Sequence, residues 1–198
     1  MALMAAARGL RSPLRAVSVE TTVGLLAVSG LRVGEVIRLT NGDVDFEQGS
    51  LVVCNSKSGR SRIVPLHCST VEALRSYTAV RDRFFPRPRS DSFFVSTLGK
   101  PLRSGDLRDA FATVAALAGL PARVAGHGPR LADLRHSFAV QTLLDWHEAG
   151  RDVGAGLPIL SAYLGHVSPA STYWYLLGLT PVLAAAAARL ERSIGGLR

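Results

Sequence analysis

VDFEQGSLVVCNSKSGRSRIVPL, residues 44–66, is the stretch that decides the fold class. The apolar period changes here. LVVC (51–54) and RIVPL (62–66) are short runs rich in β-branched residues, and the polar NSKSGRS (55–61) between them has turn composition. Together they predict an antiparallel hairpin with Lys57 in or beside its turn. Outward from the hairpin, helical spacing takes over on both sides. Residues 17–29 (VSVETTVGLLAVS) predict an apolar helix closed by Gly30 as a C-terminal cap, and a short helix follows from Val33 through GEVIRL. Downstream, 70–84 is helical and ends before PRPRS, and Phe93–Val95 predicts a third, short strand. Further helices are expected over 104–118, stopping near Gly119 and Pro121, and over 133–149, with Asp133 as the cap and Gly150 past the end. Shorter ones are expected near 157–164 and 171–177. The last begins at Thr180-Pro181 and runs to about Ser193. The expectation is a mainly α domain with one small antiparallel β-sheet (α+β).

Composition bounds the function classes. The chain has 198 residues, 47% of them hydrophobic, enough to bury a core without disulfides or metal. Its longest apolar stretches, Val23–Val28 and Val182–Ala188, are too short to span a bilayer, and the N-terminus lacks the apolar core of a signal peptide. A membrane partner is therefore not expected, and the location is expected to be cytoplasmic. Cys54 and Cys68 are too few for a disulfide framework and are taken as free thiols in a reducing compartment. The formal net charge is +8, and of 23 basic residues only Lys57 and Lys100 are lysines. The arginine fork binds phosphate through two parallel hydrogen bonds, so a polyanion, most simply nucleic acid, is the expected partner.

Five residues gain meaning when they are taken together. Arg32 lies in GLRVGE, Lys57 in the hairpin, Arg135 in DLRHSFA, His166 in YLGH, and Tyr175 in STYWY, nine residues beyond His166. Singly, each has an ordinary explanation as a surface arginine, a turn lysine, a helix-end histidine or a packed aromatic. In this order and spacing they resemble the tyrosine site-specific recombinases, the phage integrase family, over residues 17 to 195. Breaking a phosphodiester without a metal calls for a nucleophile, fixed positive charge and a proton donor. A tyrosine conserves bond energy in a covalent intermediate, preorganised donors hold the charge of the transition state, and an acid protonates the leaving oxygen. The resemblance implies that Tyr175 is the nucleophile, that Arg32, Arg135 and His166 stabilise the phosphoryl group, and that Lys57 is the general acid. No cofactor and no metal is implied. The acidic group Asp43, Asp45 and Glu47 lacks the second carboxylate cluster a two-metal site needs. Tyr173 stands seven residues from His166 and faces away from Tyr175 on a helix. His136 is taken as a structural hydrogen bonder, and Glu35 as a residue that fixes the early helix.

The resemblance further implies a tyrosine recombinase catalytic-domain fold over 17–198, with 1–16 as a remnant or linker and the usual N-terminal DNA-clamping domain absent. It implies strand cleavage and rejoining through a 3′-phosphotyrosine, in integration, excision or transposition of a mobile element. Double-stranded DNA is the implied partner, together with self-association into a tetramer on DNA or pairing with a related recombinase. Arg60, Arg62, Lys100, Arg103 and Arg130 are candidate phosphate contacts, which position a protein without selecting a sequence. One departure bears on activity. The family usually places a histidine or lysine three residues before the second arginine, and Ala132 stands there. Losing such a donor costs about 2.7–4 kcal/mol of transition-state stabilisation unless another group, such as His127 or Arg130, replaces it. The alternative is a degenerate recombinase that binds DNA or a partner without cutting. Without the usual clamping domain, this chain is expected to bind duplex DNA weakly, through phosphate contacts that make the affinity fall as salt rises. A gel shift that stays tight as salt is raised would contradict this.

Overall fold

Ser12 and Pro13 start the helix around which the first half of the chain is built. The Ser12 hydroxyl accepts from the Arg15 N–H at 3.4 Å, and proline occupies the first turn, where its missing N–H costs nothing. In this computed structural model, which describes residues 2–54, 61–120 and 128–166, seven α-helices and one three-stranded antiparallel sheet occur among the described residues. The chain divides into two compact units, Met1–Arg135 and His136–Arg198.

In the first unit, α1 (Ala2–Arg8) packs on α2 (Pro13–Ser29) and on α5 (Ser104–Leu117), and α4 (Cys68–Phe84) also packs on α2. Helix α2 buries Leu14, Ala16, Val19, Val23, Leu25 and Leu26, as a helix apolar on several faces must. The segment ahead of residue 17 is part of this body: Ala7 and Leu14 are buried. Gly30 ends α2 in the left-handed conformation at φ 60°, its N–H donating to the Leu26 carbonyl, as the sequence led us to expect. Helix α3 (Val33–Val36) follows after only three residues.

The hairpin expected from the change of period is present as β2 (Ser50–Val53) and β3 (Arg62–Pro65), paired antiparallel with Leu51 opposite Val64 and Val53 opposite Arg62. Leu51, Val53 and Val64 face the core, and Ile63 faces outward. The third strand is β1 (Val44–Asp45), added on the other side of β2. It is not Phe93–Val95. That segment makes only isolated bridges, Thr40 with Ser92 and Val95 with Pro101, and buries its aromatic rings instead. Tyr77 of α4 meets Phe94 and Phe93 with ring centroids 4.9 and 5.6 Å apart. A short apolar run of this kind has the same pattern in a buried loop as in a strand.

Helix α6 (Leu131–Glu148) begins two residues before the expected start. Asp133 therefore lies inside its first turn, where a carboxylate oxygen accepts from the Arg130 N–H at 2.9 Å. In the second unit, Asp152 caps α7 (Val153–Leu164) through the Ala155 N–H, and Gly165 closes it. Ala139 and Leu143 of α6 form a core with Leu157, Leu160 and Leu164 of α7, and Phe138 stacks on Tyr163. The helices expected over 171–177 and 180–193 lie outside the described residues.

Tyr77 ties the aromatic core to the backbone, because its hydroxyl accepts from the buried Val95 N–H at 3.0 Å. Tyr77→Phe leaves that N–H without its partner and should cost about 1–3 kcal/mol, read as a lower urea midpoint at unchanged slope.

Candidate active site

The turn from Gly30 to Glu35 is short because α2 stops at a glycine and α3 starts at once. Arg32 holds the extended conformation before α3 (φ −75°, ψ 145°), and Glu35 occupies the third position of that helix. A glutamate there reaches back to the open end of its own helix, and a Glu35 carboxylate oxygen accepts from the Arg32 N–H at 2.9 Å. The same carboxylate receives three further N–H donors. Arg32 Nη1 donates to Oε1 at 2.9 Å, while Arg62 donates from Nη1 to Oε1 at 3.1 Å and from Nη2 to Oε2 at 2.9 Å. The Glu35 side chain is 1% exposed. Burial by itself pushes its carboxyl up. The hydrogen bonds and charge of Arg62, with the hydrogen bonds of Arg32, outweigh burial and hold the pKa below the ordinary carboxylate range.

Arg135 arrives at the same turn from the start of α6. Its guanidinium is buried, and Nη1 donates to the Gly30 carbonyl at 2.7 Å. That carbonyl belongs to the C-terminal end of a 17-residue helix, where unsatisfied carbonyls carry partial negative charge and favour a cation. One turn of six residues thus supplies Arg32 and anchors Arg135.

The remaining expected residues fall in three groups. His166, in the second unit, directly follows the left-handed Gly165 that closes α7, and its N–H donates to the Ser161 carbonyl at 3.0 Å. Lys57, Arg60, His127 and Tyr175 lie outside the described residues. Of the expected phosphate contacts, Lys100 and Arg103 are exposed and line, with Arg15, a cleft of about 510 Å³ that also carries Asp106 and Asp109. Arg130 is 66% exposed and pairs with Asp133 at 3.4 Å. Arg62 differs from these: its guanidinium lies on Glu35 and its side chain is 13% exposed. Ala132 is exposed in the first turn of α6 and offers only a methyl group. The acidic group is occupied with turns: an Asp43 oxygen accepts from the Thr40 N–H and hydroxyl, and an Asp45 oxygen from the Glu47 and Gln48 N–H groups. Among the described residues no cluster of three or more His, Cys, Asp or Glu could hold a metal ion.

The role of Arg62 was missed in the sequence, although its signal was there. Arg62 is two residues before the buried Val64 and opposite the buried Val53, so the period of two places it on the inner face of the sheet.

A helical body with one small antiparallel sheet and this arginine-bearing turn is the catalytic-domain fold of tyrosine recombinases. The crystal structure of XerA recombinase matches with TM-score 0.69 and 28% identity, over 88% of this chain and 56% of that one. XerH recombinase, solved bound to palindromic difH substrate as a post-cleavage complex, shares the fold at TM-score 0.72 and 22% identity, over 96% of this chain and 51% of that one. The chain belongs to the phage integrase family, whose model matches residues 1–177. The Sinorhizobium fredii protein y4rB, provisionally named an integrase/recombinase, is 43% identical over 93% of this chain and 59% of its own length. Tyrosine recombinase XerC of Pelotomaculum thermopropionicum is 30% identical over 76% of this chain and 46% of its own length. The chain spans about half the length of these relatives. Among the described residues, no helix is long and apolar enough to cross a membrane.

Because the folded-state pKa of Glu35 is lowered, the stability it contributes is complete above the unfolded value, about 4.3, and is lost as pH falls through the lower folded value. Glu35→Gln should cost about 3 kcal/mol at neutral pH, since it leaves partly buried guanidinium groups uncompensated. Its stability should also fall less steeply than the wild type's between about pH 5 and pH 3. Urea unfolding of both proteins across that range reads both effects.

Proposed function

We propose that residues 17–198 form the catalytic domain of a site-specific recombinase that cleaves and rejoins double-stranded DNA, with the segment 1–16 packed against it. The observation that carries this is the pair Arg32 and Arg135, both fixed from the Gly30–Glu35 turn by short hydrogen bonds. Donors set in place before the substrate arrives need no reorganisation as charge develops, and each is worth roughly 10²–10³ in rate. In this reading the Tyr175 oxygen attacks phosphorus, the bond to the 5′-oxygen breaks, and Lys57 gives that oxygen its proton. A 3′-phosphotyrosine results, and a 5′-hydroxyl from a second strand resolves it. Arg32, Arg135 and His166 hold the non-bridging oxygens. Lys100, Arg103, Arg130 and Arg60 are assigned to phosphates of the flanking duplex. Solved relatives such as XerH, bound to its difH substrate, support DNA as the partner.

Recombination of two sites calls for several protomers, so we assign the chain to a tetramer on DNA, acting in the cytoplasm on the ends of a mobile element. Ala132 favours a second reading, in which the chain grips DNA or a related recombinase without cutting. Incubation with nicked DNA bearing the element's own ends separates the two. An SDS-resistant protein–DNA adduct that disappears in Tyr175→Phe is expected. DNA binding without any adduct, which then appears when Ala132→His is introduced, would move the chain to the second reading.

A further inference from the structure

The acceptor capacity of Glu35 is fully used. A carboxylate offers about four lone-pair positions, and among the described residues four N–H donors fill them: two from Arg32 and two from Arg62. We propose that Arg62 is a positioning residue for the strand-transfer reaction: by taking half of the Glu35 carboxylate in a two-bond grip, it sets the orientation of Arg32. The inference rests on the reading of Arg32 as a phosphate-holding arginine.

Three features of the geometry support this assignment. Arg62 lies on the inner face of the sheet, opposite Val53, and its side chain is 13% exposed, so its guanidinium is directed at Glu35 and not at the solvent side of the hairpin. Parallel hydrogen bonds from one planar fork fix the plane and direction of the carboxylate, which a single point charge does not do. Without Arg62, two acceptor positions on a buried carboxylate would lose their donors. Arg32 is three residues away on the same turn, with Nη1 already at 2.9 Å, and can turn to fill them. An arginine that chelates Glu35 with both arms has its fork facing protein and not phosphate. Arg62 is also the first residue of β3, so its grip joins the strand that follows the Lys57 connection to the turn that carries Arg32.

Arg62→Met keeps the apolar stem and removes the fork. Adduct formation at saturating protein on nicked DNA should slow by about 10- to 100-fold, the scale of a small misplacement of a catalytic group. The DNA dissociation constant and its salt slope should be unchanged, and Arg62→Lys should recover part of the rate. The proposal is overturned if Arg62→Met weakens DNA binding and lowers the salt slope by about one while the saturated rate holds, which is the behaviour of a phosphate contact. If circular dichroism shows Arg62→Met unfolded, Arg62→Lys carries the same comparison, with a slowed saturated rate at unchanged affinity expected. A wild-type chain that forms no adduct counts against the recombinase reading alone. The Arg32 guanidinium N–H signal in an ¹⁵N-arginine spectrum then decides the positioning role. A shift in Arg62→Met that returns in Arg62→Lys supports it, and an unchanged signal overturns it.

Discussion

A carboxylate almost wholly out of water is the constraint on which the described part of the site depends. Removing such an ion from water costs several kcal/mol unless good geometry and enough hydrogen bonds compensate it. Glu35 meets that condition with four N–H donors drawn from two places in the chain, the Gly30–Glu35 turn and the first residue of β3. The turn and the strand must therefore meet for this carboxylate to be compensated. Because the carboxylate is satisfied from both sides, a small change at β3 is transmitted to Arg32 through hydrogen bonds and not through loose packing.

The same turn holds Arg135 by a different force. The Gly30 carbonyl is exposed to a partner because the left-handed residue breaks the helical ladder there, and it sits at the negative end of α2. A glycine that ends a helix early thus does two jobs. It lets α3 begin within three residues, which brings Glu35 back onto the Arg32 N–H, and it presents a carbonyl to an arginine 105 positions later in the chain.

Much of this was legible in the sequence, and the exceptions have physical causes. The hairpin followed from the change of apolar period, and the end of α2 followed from a glycine after an apolar helix; both are local signals. Arg32 and Arg135 stood out through their motifs. The strand expected at Phe93–Val95 failed because burial, not backbone pairing, determines a run of aromatics, and the core of Tyr77, Phe93 and Phe94 satisfies that run without a sheet. The start of α6 was displaced because aspartate serves equally well as a cap or at the third helical position, where Asp133 sits. The sequence places Arg62 among the candidate phosphate contacts because charge is usually outside. Its true place was written in the alternation with Val64, but the partner that makes burial tolerable, Glu35, is 27 residues away and has no local signature.

Arg62 is one of several arginines that tie distant segments of the fold together, and this changes what the basic composition means. Arg81, mostly buried, donates to the Asn41 side chain and the Phe93 carbonyl while lying over the rings of Tyr77 and Phe93. Arg75 donates to the Phe46 carbonyl and covers that ring. Each joins segments far apart in sequence, which a planar fork with five donors does well and an ammonium on a flexible stem does poorly. A preference for arginine over lysine therefore follows in part from construction, and is not by itself a mark of a polyanionic partner. The argument for a nucleic-acid partner from charge rests instead on the positive excess, and on where its members lie. Lys100, Arg103 and Arg15, exposed around one cleft, can meet a phosphate backbone without dismantling any of these internal ties.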